Sequence, residues 1–376
     1  MSRYIPLLFS VVLAACIYEP PLGQAASGPS APPVLFNPIA ESNNSKLETP
    51  NSKPSSLPDP KDPHAWVWLY QLPDFSEKNY QSAVDALLAD YEHRLGRRLE
   101  PGSLRRAGIK VMTETPGLST PLPLVRAVIS ALEARGFKST EIFIVDQNEG
   151  RLHEAGFLPL NAPVGEGMFD GVQVIALERG RYYSLKWFYP SNLPAADAGE
   201  QAADRMKYDW KIAPAPRDSL LPVPLLLDVD FWINLPVGLE YDSFGVAGAL
   251  VNATLLSASN TQRFMDNPAT GAKAVADMAA VPEFSRGWVL SILPLECYQF
   301  IGGPRFNSLY TESQPLLLMS PNPVMLDRLL FEIINQARER NRLQLLDPPA
   351  YLDYARQPDT HLGDDNPATK YLVRLP

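Results

Sequence analysis

A strand, a loop, a helix and a second strand follow one another between Ala107 and Asp146, and no other stretch restricts the fold as strongly. Ala107–Met112 (AGIKVM) is a short apolar run, which reads as a strand. Thr113-Glu114-Thr115-Pro116-Gly117-Leu118-Ser119-Thr120 is a hydroxyl-rich loop with a turn glycine. Leu122, Val125, Ile129 and Leu132 then recur at helical spacing until Gly136. Thr120 is the predicted N-cap of this helix, with Pro121 at its first position. Glu141–Asp146 (EIFIVD) is a second apolar strand that ends in a carboxylate. Strands joined through a crossover helix lie parallel, with helices covering the sheet. The chain is therefore expected to be α/β, a mostly parallel sheet flanked by helices and built from Rossmann-like βαβ units.

The remaining segments extend this plan. His64–Tyr70 (HAWVWLY) reads as an opening strand, and Tyr80, Val84, Leu87, Leu88, Tyr91 and Leu95 as a helix stopped by Gly96. Gly171–Leu177 and Arg181–Phe188 read as a strand pair, with a hairpin as one option. Pro190–Leu221 is polar and proline-bearing, an excursion or lid. Leu225–Leu235 reads as a buried strand, Phe244–Ser257 as a close-packed helix, and Trp288–Leu293 and Leu316–Ser320 as strands. Asn322 is placed to cap a helix carrying Leu326, Leu329, Leu330, Ile333 and Ile334, and a short helix near Tyr351–Ala355 and a strand at Tyr371–Leu375 close the chain.

Ahead of this domain, assigned to 64–376, stand two segments of different character. Arg3 precedes an apolar run from Ile5 to Leu13, closed by Ala14-Ala15-Cys16. Small residues before a cysteine mark an export signal (1–15), and the cysteine directly after them resembles the bacterial lipobox. The run falls short of the roughly 20 residues a membrane span needs. Diacylation of the Cys16 thiol and acylation of its amine would anchor the chain stably. The alternative is an ordinary secretory signal with an incidental cysteine. Residue 17 is isoleucine rather than aspartate, which in a Gram-negative host resembles the pattern sent to the outer membrane. Residues 16–63 are rich in Pro, Ser, Asn and Ala, a composition that cannot bury enough apolar surface to offset ordering. They are expected to form a disordered tether spanning roughly 40 Å on average.

Composition excludes several function classes. A net charge of −9 and a pI near 5.1 argue against nucleic acid as a partner and against adhesion to anionic surfaces. Cys16 and Cys297 are the chain's two cysteines, so an iron–sulfur cluster held within the chain is excluded. Once Cys16 is lipidated, no intramolecular disulfide can form. His64, His93, His153 and His361 show no paired spacing, and no metal site or other cofactor is expected. The expected partners are the membrane, through the lipid, and a second envelope protein.

Ligands of open α/β sheets gather beyond the carboxyl ends of the strands, where the strand order reverses. The Thr113–Thr120 loop has that address, and Thr113, Thr115, Ser119 and Thr120 offer hydroxyls beside a helix N-terminus suited to an anion. Lys110 lies near the end of the preceding strand. The plain alternative is a capped turn with a surface lysine. Asp146 stands at a strand terminus, where a Rossmann-type acid would stand. Asn234 and Asn252 carry amides able to orient a polar ligand or to satisfy nearby backbone. Asp228 and Asp230 would share a strand face. Gly302-Gly303-Pro304 reads as a tight turn, Cys297 as inert packing, and Asp327 as a carboxylate suited to the dipole of its own helix. Trp187–Pro190 is a candidate partner surface, with core packing as its alternative.

Seven segments taken in order resemble the uncharacterised DUF362 family. They are Gly108–Val111 (GIKV), Ser119–Phe137, Ile144–Asp146 (IVD), Asp228–Val237 (DVDFWINLPV), Gly245–Asn252 (GVAGALVN), Gly302–Pro304 (GGP) and Ser320–Asp327 (SPNPVMLD). The resemblance implies an α/β domain without a settled activity, and many members carry ferredoxin-like cysteine motifs that this chain lacks. Where the family pattern has a lysine and then a histidine, this chain has Leu239 and Tyr241. A further lysine is replaced by Val251, and an aspartate by Asn322. Losing two cations, an imidazole and a carboxylate points to a non-catalytic binding or scaffold module. The alternative is a small-molecule or anion-binding enzyme with its site at the carboxyl ends of the parallel strands. Catalytic residues are assigned in neither reading.

Overall fold

The computed structural model describes residues 59–162, 167–179, 181–207 and 217–376, all within one compact unit, Pro38–Pro376. The expected signal segment, Cys16 and nearly all of the expected tether lie outside the described residues. The chain begins with β1 (Trp66–Gln71), α1 (Glu77–Leu95), β2 (Ala107–Val111), α2 (Leu122–Glu133), β3 (Ile142–Asp146) and α3 (Glu149–Glu154). Its middle holds β4 (Gly167–Phe169), β5 (Val172–Ala176), β6 (Tyr183–Pro190), α4 (Ala198–Lys207), β7 (Asp218–Pro222) and α5 (Val223–Leu226). β8 (Phe231–Leu235), β9 (Gly238–Tyr241), β10 (Gly245–Ala247), α6 (Ala249–Ala253), α7 (Thr261–Met265), α8 (Pro268–Ala279) and α9 (Pro282–Gly287) follow. The last part comprises β11 (Trp288–Pro294), β12 (Tyr298–Gln299), β13 (Thr311–Glu312), β14 (Leu316–Ser320), α10 (Pro323–Arg340), α11 (Ala350–Ala355) and β15 (Tyr371–Leu375).

One 9-stranded sheet organises the molecule, in the order β15-β1-β14-β11-β8-β2-β3-β5-β4. The central strands β11, β8, β2, β3 and β5 run parallel to one another. β14 runs antiparallel to β1 and β11, and β4 antiparallel to β5 at the far edge. The α/β architecture with a mostly parallel sheet is thus the fold of this protein. From β2 the chain moves through α2 to β3 on one side, and it later returns to β8 on the other. The strand order therefore reverses between β2 and β8, which opens a crevice at their carboxyl ends.

Alternation along the strands assigns the two faces of the sheet. Ile109 and Val111 of β2, Ile144 of β3 and Ile233 and Leu235 of β8 join the buried cluster formed with Val84, Leu87 and Leu88 of α1 and Val125, Val128 and Leu132 of α2. Lys110 and Asn234 point to the opposite face, toward α6. Trp232 packs there against Trp288, with ring centroids 5.1 Å apart.

The structure corrects several expected elements. Residues 172–176 and 183–190 form no hairpin: β5 pairs with β3 and β4, and β6 pairs with β7. The excursion after Pro190 contains α4, and its residues 208–216 lie outside the described residues. The strand expected from Leu225 begins only at Phe231, because Pro224 opens the short α5. Asp228 and Asp230 consequently precede β8 and share no strand face. Asp230 instead accepts from the backbone N–H groups of Gly102, Leu104 and Arg106 at 3.0, 2.9 and 3.0 Å. The close-packed helix expected over Phe244–Ser257 is divided into β10 and the five-residue α6. Thr120 does not cap α2; the cap position belongs to Pro121, without a side-chain hydrogen bond.

Candidate functional site

Parallel register builds the centre of the site. Lys110 of β2 lies opposite Asn234 of β8, and Asn234 lies opposite Ser291 of β11. The three side chains therefore stand in one row on the α6 face. Lys110 is fully buried, and its ammonium donates to Val111 O at 2.6 Å, Asp146 Oδ1 at 2.7 Å and Asn252 Oδ1 at 2.9 Å. Three acceptors match the three N–H bonds of an ammonium. Burial pushes this lysine below the usual lysine range, and the Asp146 carboxylate opposes the shift.

Asp146 extends the network toward the loop after β2. Its Oδ2 accepts from the Thr113 backbone N–H at 2.7 Å and the Thr113 hydroxyl at 2.6 Å, and its Oδ1 also accepts from Gln147 N at 2.8 Å. On the other side, Asn252 Nδ2 donates to Asn234 Oδ1 at 2.8 Å, and Asn234 Nδ2 donates to Ala249 O at 2.9 Å and Ser291 Oγ at 3.2 Å. Trp288 Nε1 closes the chain on Ser291 Oγ at 3.1 Å. Five residues singled out in the sequence, Lys110, Thr113, Asp146, Asn234 and Asn252, thus meet in one buried network spanning four strands and α6. Each bond satisfies a group that would otherwise be buried without a partner, so the network acts as a polar lock at the switch point.

The other candidates take separate places. Thr120 accepts from Met112 N at 2.8 Å and donates to Leu235 O at 2.6 Å, pinning the loop to the end of β8. Thr115 is buried, and its hydroxyl has no hydrogen-bond partner among the described residues. Ser119 is half-buried on the same loop. Asp327 corrects its expectation: its carboxylate accepts not from its own helix but from Ala249 N at 2.5 Å and Leu250 N at 3.1 Å at the start of α6, and from Tyr351 Oη at 3.0 Å. Burial pushes its pKa up to about 7 against the pull of these donors. Gly248 permits this approach, since a Cβ there would lie 2.3 Å from Asp327 Oδ1. Asn322 caps α10 through Met325 N at 2.8 Å and donates to His64 O and Asp364 O at 3.0 and 2.9 Å. Cys297 is half-buried, and burial raises its thiol. Phe188 of the Trp187–Pro190 segment is 42% exposed, whereas the Tyr189 hydroxyl donates to Asp277 at 2.7 Å.

Beside the network, at the carboxyl ends of β2 and β3, lies an open cleft of two lobes that share Glu114, Arg151, Gln262, Met265 and Asp266. The larger lobe has a volume near 710 Å³ and is also lined by Tyr241, Asp242, Arg305 and Phe306. The smaller, near 390 Å³, is bounded by Gln147 and Asn148 after β3, by Asn260, and by Glu200 and Ala203 of α4. Both volumes fall in the range of small-molecule sites, ~300–1,000 Å³. Tyr241 is buried in this wall; burial raises its phenol, the Glu114 carboxylate adds to the shift and Arg151 opposes it. The Gly302-Gly303-Pro304 turn reaches the same cleft: Gly303 N donates to Glu240 Oε2 at 3.0 Å and Pro304 joins the lining.

Sequence reasoning passed over Arg151 on α3 and Arg305 and Phe306 after the Gly302-Gly303-Pro304 turn, and it did not single out Glu114 within the Thr113–Thr120 loop. Among the described residues, no group of three or more His, Cys, Asp or Glu side chains is placed to hold a metal ion, and no helix is long and apolar enough to cross a membrane.

No family model matches the chain, and no curated protein matches it. A crystal structure of a protein from Thermotoga maritima is similar, at 12% identity and a TM-score of 0.38, over 71% of this chain and 59% of that one. The chain thus spans less than two thirds of that protein's length.

Proposed function

We propose that the chain is an envelope lipoprotein, anchored through Cys16, whose DUF362-like domain is a non-catalytic binding module with its ligand in the two-lobed cleft. One observation carries this reading. The groups with the greatest chemical potential are consumed by one another, with Lys110 at 0% and Asp146 at 4% exposure, while the cleft beside them is open. As a framework, the lock holds rigid the strand ends from which the cleft loops depart, which lowers the ordering cost of binding.

A thermal-shift screen of the purified chain against phosphates, sugars, nucleotides and divalent metals tests the proposal. A ligand should stabilise the wild type, and Arg305→Ala, a change of an exposed cleft residue, should abolish or weaken that stabilisation without altering the ligand-free melting temperature. Turnover of the ligand, or stabilisation that survives changes throughout the cleft lining, would refute it.

A further inference from the structure

Two charges that the protein leaves unpaired in the larger lobe narrow the ligand class, in a step that rests on the cleft being the binding site. β9 and β12 run parallel, with Leu239 opposite Gln299. Tyr241 ends β9, and Asp242 stands just beyond it. After β12, the buried Gln299 amide donates to Arg305 O and accepts from Asn307 N, both at 2.8 Å, which braces the backbone around Arg305. The Gly302-Gly303-Pro304 turn ties the same segment to β9, through Gly303 N and Glu240 Oε2 at 3.0 Å. Neighbouring strands thus bring a carboxylate, Asp242, and a guanidinium, Arg305, to one lobe. The two do not pair, and neither side chain has an ion pair or hydrogen bond among the described residues.

Exposed charges stay solvated at little cost, so the buried Tyr241 beside them is the stronger observation. It is 4% exposed, and a tyrosine hydroxyl at that depth usually finds a partner. Here Oη makes no hydrogen bond among the described residues, while the residue lines the cleft. Burial first, then the carboxylates of Glu114 and Asp242, push this phenol up, and Arg151 opposes them. Arg151 is itself drawn to Glu154, 3.8 Å away. The phenol oxygen is therefore an open acceptor at a point where negative charge prevails, which suits an ammonium and repels an anion.

A cation by itself would leave Arg305 unanswered, and an anion by itself would meet the carboxylates. A ligand carrying both charges answers each. Phe306, next to Arg305 and 41% exposed, adds an apolar wall for the carbon atoms between them.

We infer that the cleft binds a zwitterionic amino compound, a free amino acid or a short peptide. Its ammonium sits on Tyr241 Oη and the Asp242 carboxylate, and its carboxylate on the Arg305 guanidinium, which can grip both oxygens at once.

The test is calorimetric titration of the full chain with free amino acids and with di- and tripeptides, each beside its N-acetylated and C-amidated forms. Spermidine serves as a cation alone, pyrophosphate as an anion alone and maltose as a neutral probe. At least one amino acid or peptide should bind, and blocking either end should weaken it about tenfold, the scale of a charge-assisted hydrogen bond. Asp242→Asn and Arg305→Gln should each cost about tenfold, and Tyr241→Phe about fivefold. Asp242→Asn should also erase the penalty of N-acetylation, and Arg305→Gln that of C-amidation, because each pair of changes removes one contact. Asp242 and Arg305 are exposed and Tyr241 Oη has no partner to lose, so ligand-free melting temperatures should stay at the wild-type value. Undiminished affinity for the blocked forms would overturn the zwitterion. So would binding of spermidine, pyrophosphate or maltose alone; its loss in these variants would leave the cleft as the binding site. An amino acid or peptide that binds all three variants as well as the wild type would overturn the placement. No binding by any probe would overturn the inference and count against the cleft itself.

Discussion

Replacing Lys110 by methionine should be among the most damaging single changes in the protein. The variant keeps the length of the side chain and removes its charge, leaving Asp146 buried without a cation. Three donors to the carboxylate persist, from Thr113 N, Thr113 Oγ1 and Gln147 N, but Val111 O and Asn252 Oδ1 lose their donor. Breaking one side of a buried pair costs about 3–5 kcal/mol, and each orphaned acceptor falls in the range of about 1–3 kcal/mol. These costs overlap, so about 4 kcal/mol is the expected loss for Lys110→Met. Asp146→Leu should cost a similar amount, since it strands an ammonium with two neutral acceptors and frees Thr113 N. The double variant removes both charges together. It should be less destabilised than the sum of the singles, with a coupling energy of about 2–3 kcal/mol. Urea unfolding followed by tryptophan fluorescence measures all four corners of the cycle, and Trp232 reports from within β8, beside Asn234. Additive losses, or a cost below about 1 kcal/mol for Lys110→Met, would refute the account of the pair as a structural lock.

Other perturbations follow from single contacts. Asp327 has a folded pKa near 7 against an ordinary value of 3.8. Between those limits the folded state binds the extra proton, so stability should fall as pH rises from about 4 to about 7, by at most about 4 kcal/mol. Asp327→Asn should flatten that slope, and a wild-type curve without it would contradict the burial argument. Asn322→Ala removes the cap of α10 and the amide bridging His64 O and Asp364 O, and calorimetry should register a loss of about 1–3 kcal/mol. Cys16→Ser should move the protein from the membrane fraction to the soluble fraction, and unchanged partitioning would end the lipoprotein proposal.

Much of the fold was legible because its signals are local. The periods of α1 and α2, the apolar runs of β2, β3, β11 and β14, and Asn322 with Pro323 at the head of α10 each depend on neighbours a few residues away. The misread elements were those where a local pattern admitted two answers. Leu225–Asp230 is as apolar as a strand, but Pro224 and packing against β6, β7 and α9 make its start helical. The Arg181–Phe188 strand was expected next to its sequence neighbour, while its true partner β7 lies at the far end of the Pro190–Leu221 excursion.

The sequence by itself determined that the region after residue 63 is an α/β domain with a βαβ crossover, that a cluster held within the chain by four cysteines is impossible, and which polar residues stand near strand ends. Only the tertiary structure decided that Lys110, Asp146, Asn234 and Asn252 face one another and are spent on one another. The physical reason is register. Side chains alternate along a strand, so a slip of one residue between β2 and β8 would turn Asn234 away from Lys110. More than a hundred residues separate those strands in the chain, and no local pattern carries their alignment. It is settled by packing of the whole sheet against α1 and α2 on one face and α6 on the other.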